Sequence, residues 1–324
     1  MRIYRRHHHI DPADQNAVVA IGNFDGVHLG HAKVIRAAAK AARAEGTTCA
    51  LLTFEPHPRQ FFQPEIGPFR LTPFRTKIRL LTDLGVETIF NLRFSQALAQ
   101  TSAEDFIGNI LVDGLGVGGV VVGPNFRFGR GRRGDNRMLA DYAARHRFRL
   151  IEIPMDGDSG DAFSSSRVRK LIGEGEVAQA SRILGRLWEV EGRVRAGHGQ
   201  GQEMGFPTAN LSLDRILHPA AGIYAVRAGI VDRNDTHWQN AAAYVGDRPT
   251  FGGSAMALEV HLLEQGGDLY GKRIRVAFVE MLRRDEAFAD SEALRRQMAA
   301  DCKRARHVLA DPGIVDFLAK PSAA

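Results

Sequence analysis

The segment Gly22-Asn23-Phe24-Asp25-Gly26-Val27-His28-Leu29-Gly30-His31 gathers two imidazoles, a carboxylate and three glycines within ten residues. An apolar run, Val18-Val19-Ala20-Ile21, leads into it, and an alanine-rich run from Ala32 to Ala44 leads out. Both histidines therefore fall where a strand turns into a helix. Backbone N–H groups point outward at a helix start, and the helix dipole favours negative charge there. Imidazoles at that point can donate hydrogen bonds to a triphosphate, and Gly30 lets the backbone come close. Two satisfied surface histidines are the alternative reading; the flanking strand and helix favour the phosphate site. Ser164-Ser165-Ser166-Arg167-Val168-Arg169 reads as a second such start. There the N–H groups, the hydroxyls of Ser165 and Ser166, and the Arg169 guanidinium can hold β- and γ-phosphates.

A different phosphate loop stands in the second half, from Gly197 through Gly199, Gly201 and Gly205 to Phe206-Pro207-Thr208-Ala209-Asn210. Its glycines allow the main chain to fold over a polyphosphate. The Thr208 hydroxyl and the Asn210 amide oxygen are hard ligands suited to Mg²⁺. In Leu258-Glu259-Val260-His261, strand alternation puts Glu259 on the face of His261, opposite Leu258 and Val260.

These groups need a scaffold. In the first half, strand-like runs (Val18–Gly22, Cys49–Phe54, Thr88–Asn91, Val117–Gly123, Arg149–Ile153) alternate with helical ones (His31–Glu45, Pro73–Leu84, Ala103–Leu111, Arg137–His146). That alternation predicts a parallel sheet covered on both faces. Two more helices follow, one after the Ser164 cap and one over Val177–Leu184. After Gly185 short strands succeed one another: Trp188–Arg195, Ile223–Ile230, Ala241–Val245, Leu258–Leu263 and Arg273–Val279. Gly- and Asp-rich turns separate them, which predicts an antiparallel barrel or sandwich, with an amphipathic helix over Ser291–Leu309. The expected division is 1–184 and 185–318.

Together with Thr53-Phe54-Glu55-Pro56-His57-Pro58 and Val122-Gly123-Pro124-Asn125-Phe126-Arg127-Phe128-Gly129, the first-half motifs resemble the nucleotidylyltransferase superfamily. More narrowly, they resemble the bacterial bifunctional riboflavin kinase/FMN adenylyltransferases. The second-half loop with its Pro-Thr-Ala-Asn tail resembles the flavokinases, and so do the stretches around Tyr244, Tyr270 and Arg283. The resemblance covers nearly the whole chain. It implies a Rossmann-like nucleotidylyltransferase domain with a parallel sheet, then an antiparallel β-barrel riboflavin kinase domain with a terminal helix.

The reactions implied are phosphorylation of riboflavin to FMN and adenylylation of FMN to FAD, with ATP as co-substrate, Mg²⁺ as cofactor and pyrophosphate released. The implied catalytic residues are His28 and His31 for adenylyl transfer and Glu259 as general base of the kinase. ATP would meet Gly22, Asn23, Phe24, Asp25, Gly30, Ser165, Ser166 and Arg169 in the first half. In the second it would meet Gly199, Gly201, Gly205, Pro207 and Thr208. Thr208 and Asn210 would hold the metal, and His57, Asn125, Phe128 and Arg283 would meet flavin. A turn Asn and a core Phe are the plain alternative for Asn125 and Phe128. Where the family often has Arg, this chain has Gln202, which puts kinase efficiency in question; a feeble kinase half is the runner-up reading.

Length, charge and cysteines set the outer bounds. The 324 residues are 44% apolar and 25% charged, enough for two sizeable cores. No apolar run approaches the roughly 20 residues of a membrane span, and no apolar core follows Met1–Arg6. A cytoplasmic enzyme with no membrane partner is expected, and Cys49 and Cys302, distant in sequence, read as free buried thiols. The net charge of +6 suits anionic ligands without choosing between nucleotide and nucleic acid. The Arg/Gly stretch 127–134 raises RNA binding as an alternative, but it is short and lies inside a folded pattern, so no nucleic-acid partner is expected. His7-His8-His9 reads as a solvated edge before the first strand.

Overall fold

The computed structural model describes the chain except residues 155–162, 197–203, 233–234, 251–252, 265–268 and 320–324. The fold comprises two compact units. The first holds Met1–Gly67 and Lys77–Phe163; the second holds Pro68–Thr76 and the chain from Ser164 onward.

The first unit is built on six parallel strands: β1 (Arg2–Tyr4), β2 (Val18–Ile21), β3 (Cys49–Glu55), β4 (Thr88–Arg93), β5 (Gly119–Val122) and β6 (Arg149–Glu152). Their order is β1-β4-β3-β2-β5-β6. Alternation sorts the side chains to two faces. Val19 and Ile21 join Ala50, Leu52 and Phe90 under Phe106, Ile107 and Leu139. Val18 and Ala20 join Leu51 and Ile89 under helices α1 (Leu29–Glu45) and α3 (Phe74–Asp83). A short helix α2 (Pro58–Phe62) follows β3, and α4 (Gln96–Gln100), α5 (Ala103–Asp105) and α6 (Asn136–His146) complete the unit. The helix expected over Ala103–Leu111 is α-helical only to Asp105 and π-helical over Phe106–Val112. The histidine run lies between β1 and β2, so a strand precedes it that the sequence pattern did not reveal.

The second unit curls six antiparallel strands: β7 (Trp188–Arg193), β8 (Ala209–Ser212), β9 (Gly222–Asp232), β10 (Asp235–Thr250), β11 (Gly253–Leu262) and β12 (Arg273–Arg284). The order is β7-β12-β9-β10-β11-β8, and among the described residues the two edges meet at one bridge, Arg195 to Asn210. Two irregularities, between Phe278 and Glu280 and between Met281 and Arg283, put two extra residues into β12 against β9. Helices α7 (Ser165–Glu174) and α8 (Val177–Leu184) belong to this unit, and Val168, Ile172, Val177 and Leu184 fill its inner core with Trp188, Tyr224 and Phe278. Helix α9 (Ser291–Leu309) sets Cys302, Ala305 and Leu309 against Ala225, Ala242 and Ala277 on the outer face, and α10 (Pro312–Ala319) is the last described element.

Candidate active sites

In the first unit, strand β2 is fully buried, and the chain leaves it through Gly22, whose N–H donates to Leu52 O at 3.1 Å. The turn that follows carries three positive φ angles: Phe24 at 49°, Gly26 at 88° and Val27 at 43°. A β-branched residue there is strained by about 1–3 kcal/mol, so its surroundings must enforce it. They do. The Phe24 ring lies against Gly22, where a Cβ would stand 3.2 Å from it. Thr53 Oγ1 and Lys77 Nζ both donate to Asn23 O, at 3.2 and 3.1 Å. Asp25 and Lys77 are fully buried, each about 1% exposed.

That turn delivers His28 as the N-cap of α1. Its Nδ1 accepts from His31 N at 3.2 Å. An Nδ1 that accepts a backbone N–H carries no proton, so the neutral ring is protonated on Nε2. His28 thus caps a helix with one nitrogen and presents an N–H donor with the other. His31 stacks on it, ring centroids 3.6 Å apart and 15° off parallel, with Phe24 edge-on to His31 at 5.2 Å. Gly30 sits under this pair, and a Cβ there would stand 3.2 Å from both His28 Nδ1 and Phe163 Cβ. Gly22, Asn23, Phe24, Asp25, His28, Gly30 and His31 are thus gathered at one strand-to-helix junction.

The expected flavin residues of this unit lie elsewhere along its strand ends. His57 caps α2, its Nδ1 accepting from Arg59 N at 3.1 Å, which is a positioning role. Asn125 is exposed on the loop after β5. Phe128 is buried in the core, stacked on Phe126 and tilted against Phe106. Phe62 was not singled out from the sequence. It is 64% exposed, and with Phe61 it flanks Phe94, which touches Phe54, so an aromatic surface opens beside the end of β3. Its signal was the Phe61-Phe62 doublet in a short polar segment.

In the second unit Ser164 caps α7, accepting from Arg167 N, with Ser165 and Ser166 in the first turn. Arg169 donates from Nε to Phe69 O at 2.9 Å and covers the Phe69 ring. Gly205 takes φ 87°, a conformation that favours glycine. Gly199, Gly201 and Gln202 lie outside the described residues.

Strand register assembles the rest. Asn210 pairs with Glu259, Glu259 with Tyr244, Tyr244 with Ile223, and Ile223 with Arg283. Register partners share a sheet face, so these five residues form one row across five strands. It lies opposite the inner core that takes Leu258 and Val260. At its head Thr208 Oγ1 donates to Glu259 Oε2 at 3.1 Å. Asn210 Nδ2 donates to Thr208 O at 3.3 Å, and its buried Oδ1 has no hydrogen-bond partner among the described residues. Such an oxygen fits a hard cation. At the far end Arg283 binds the buried Asp301 of α9 through Nε and Nη2 and reaches Glu286 at 3.2 Å. Tyr244 lies in one of the stretches that resemble the flavokinases. Its Oη donates to Asp285 Oδ2 at 2.9 Å.

A helix start armed with imidazoles on a parallel sheet, and a Thr-Asn-Glu corner on a curled antiparallel sheet, define a two-unit nucleotide-dependent transferase. The FAD synthetase family model matches residues 10–167, and the riboflavin kinase model matches residues 184–309. The chain belongs to the bifunctional riboflavin kinase/FMN adenylyltransferase family. The protein so named in Escherichia coli strain K12 is 35% identical over 308 residues, which is 94% of this chain and 97% of the relative. That of Pseudomonas fluorescens is 38% identical over 311 residues, 96% and 98% of the two chains. A crystal structure from Streptococcus pneumoniae, described as a macrolide-efflux protein, superposes with a TM-score of 0.81 at 29% identity over 94% of this chain and 98% of that one. Among the described residues no helix is long and apolar enough to cross a membrane.

Proposed function

We propose that this chain makes FMN at the Thr208–Asn210–Glu259 corner and FAD at the His28–His31 junction; the two activities are those of its family. In the kinase reaction Glu259 takes the proton of the ribityl 5′-hydroxyl as that oxygen attacks the γ-phosphorus of ATP. Thr208, hydrogen-bonded to Glu259, holds the carboxylate in place. Thr208 and Asn210 Oδ1 would hold Mg²⁺, which neutralises triphosphate charge when bound. The glycines at 199, 201 and 205, with Pro207, line the ATP phosphates in this reading.

In adenylyl transfer the FMN phosphate, already a nucleophile at neutral pH, attacks the α-phosphorus and pyrophosphate leaves. His28 Nε2–H and His31 donate to the oxygens that gain charge. Ser165, Ser166 and Arg169 remain the family's candidates for the β- and γ-phosphates. Asn125 and the aromatic surface at Phe62 are the candidates for flavin contact in this reading, with the buried Phe128 and the α2 cap His57 as residues that would hold those segments in place. A cytoplasmic location fits two buried free cysteines.

The observation that carries the reading is the Thr208–Glu259 hydrogen bond beside the bare Asn210 oxygen. Incubation with riboflavin and Mg-ATP, followed by chromatography of the flavins, tests both halves at once. Glu259→Ala is expected to stop FMN formation and leave conversion of added FMN to FAD intact. Unchanged riboflavin phosphorylation in that variant would refute the assignment.

A further inference from the structure

The row across the second sheet contains one aromatic residue, and it stands between the base and the arginine. Tyr244 is the register partner of Glu259 on one side and of Ile223, next to Arg283, on the other. Its ring runs along the strand over Gly246, where a Cβ would collide with Tyr244 Oη and Cζ. The ring can lie flat there only because Gly246 has no side chain. Its hydroxyl donates to Asp285, an exposed carboxylate just past the end of β12. Burial pushes the phenol up to about 12, helped by Asp285 and more weakly by Glu259 and Asp247, so it remains a donor at neutral pH.

Asp285 accepts on Oδ2 from Tyr244 and on Oδ1 from Glu286 N at 3.0 Å, and a carboxylate's two oxygens offer about four lone-pair sites, which leaves acceptor capacity for further donors. A polyol is a chain of such donors. Resting on the kinase reading above, we propose that Tyr244 is a positioning residue that fixes Asp285 to receive the hydroxyls of the ribityl chain, so that the terminal hydroxyl reaches Glu259. The ring is the floor on which that chain lies, and the Tyr244–Asp285 pair reads the polyol rather than the isoalloxazine.

The test uses the full chain, with riboflavin as substrate and lumiflavin, which has the ring system but no polyol, as competing inhibitor. Tyr244→Phe keeps the floor and leaves Asp285 held by Glu286 N alone. It is expected to raise the KM for riboflavin about tenfold and, with the terminal hydroxyl no longer held at Glu259, to lower kcat about tenfold, the KM for ATP staying within about twofold and lumiflavin inhibition unchanged. Asp285→Asn, on an exposed side chain that the fold tolerates, is expected to reproduce the effect. A purely structural tyrosine would lower stability and move riboflavin and lumiflavin together, which would overturn the proposal. So would an unchanged riboflavin KM in both variants. Glu259→Gln run in parallel separates the two levels. If it abolishes FMN formation while Tyr244→Phe behaves as wild type, the corner stands and the tyrosine assignment falls. If it leaves FMN formation intact, the corner itself is misread.

Discussion

The proposed function gives His28 two jobs in one ring, and they can be separated by substitution. The Nδ1 lone pair caps α1, a helix of 17 residues, and under the proposed function Nε2–H is the donor to the phosphates. His28→Ala removes both. Loss of an N-cap costs about 1 kcal/mol of stability. Loss of a donor aimed at developing charge costs about 10²–10³ in rate, or roughly 3–4 kcal/mol at the transition state. His28→Asn restores a cap, because an Asn oxygen accepts from the same N–H, but restores no donor at the Nε2 position. The expected pattern is a destabilised, slow alanine variant beside an asparagine variant of near wild-type melting temperature that is still about 10²-fold slow in making FAD from FMN. Thermal unfolding followed by circular dichroism gives the first quantity, and single-turnover FAD formation gives the second. If the asparagine variant regains a rate within about threefold of wild type, His28 is only a cap, and the imidazole argument for this junction is wrong.

Gly30→Ala should slow FAD formation about tenfold although helix propensity alone favours alanine by up to about 1 kcal/mol, because the new Cβ stands 3.2 Å from His28 Nδ1; a faster or unchanged rate would show that the pair tolerates displacement. Lys77→Met leaves Asn23 O to Thr53 alone, and loss of that ammonium contact is expected to cost FAD formation at least tenfold while riboflavin phosphorylation stays within about twofold. Equal loss of both activities would contradict a role confined to the turn. Burial, with Glu87 nearby, pushes the Cys49 thiol up to about 12 from 9.0. A raised value favours the neutral form in the native state. Its contribution is therefore complete below pH 9 and fades as pH rises toward 12, about 1 kcal/mol being lost between pH 8 and 10. Urea melts of wild type and Cys49→Ala at the two pH values check this: the variant should lose less stability over that interval.

Much of this was legible because period and punctuation are local. Helix α9 begins and ends where its pattern does, at Ser291 and Leu309, and the imidazole pair stands at a strand-to-helix junction as the flanking runs imply. What escaped depends on partners. β1 has three residues, too few to show a period, and β8 alternates over Ala209-Asn210-Leu211-Ser212 but is only four residues long and follows closely on the glycine-rich loop. The change from α to π winding at Phe106 alters which carbonyl each N–H finds, not which faces are apolar. Lys77 reads as a solvated charge on an amphipathic helix; only the tertiary fold shows it buried against a strained turn. Tyr244 sits in an apolar run and reads as core until register sets it beside Glu259. Likewise, the apolar stripes of α7 and α8 show that they are covered but not by what, and they fill the core of the curled sheet.

The irregularities in β12 carry a consequence for how this sequence can vary. Counted evenly from the Phe278–Val226 pair, the partner of Ile223 would be Met281; the two extra residues bring Arg283 there instead, within reach of Asp301. Were this same sequence paired without one of the irregularities, the following side chains would turn to the other face, and without both a thioether would replace the guanidinium at the anchor of α9. Point substitutions along β12 should thus be borne far better than changes in its length, and homologous strands that keep this anchor should keep its residue count before they keep its composition.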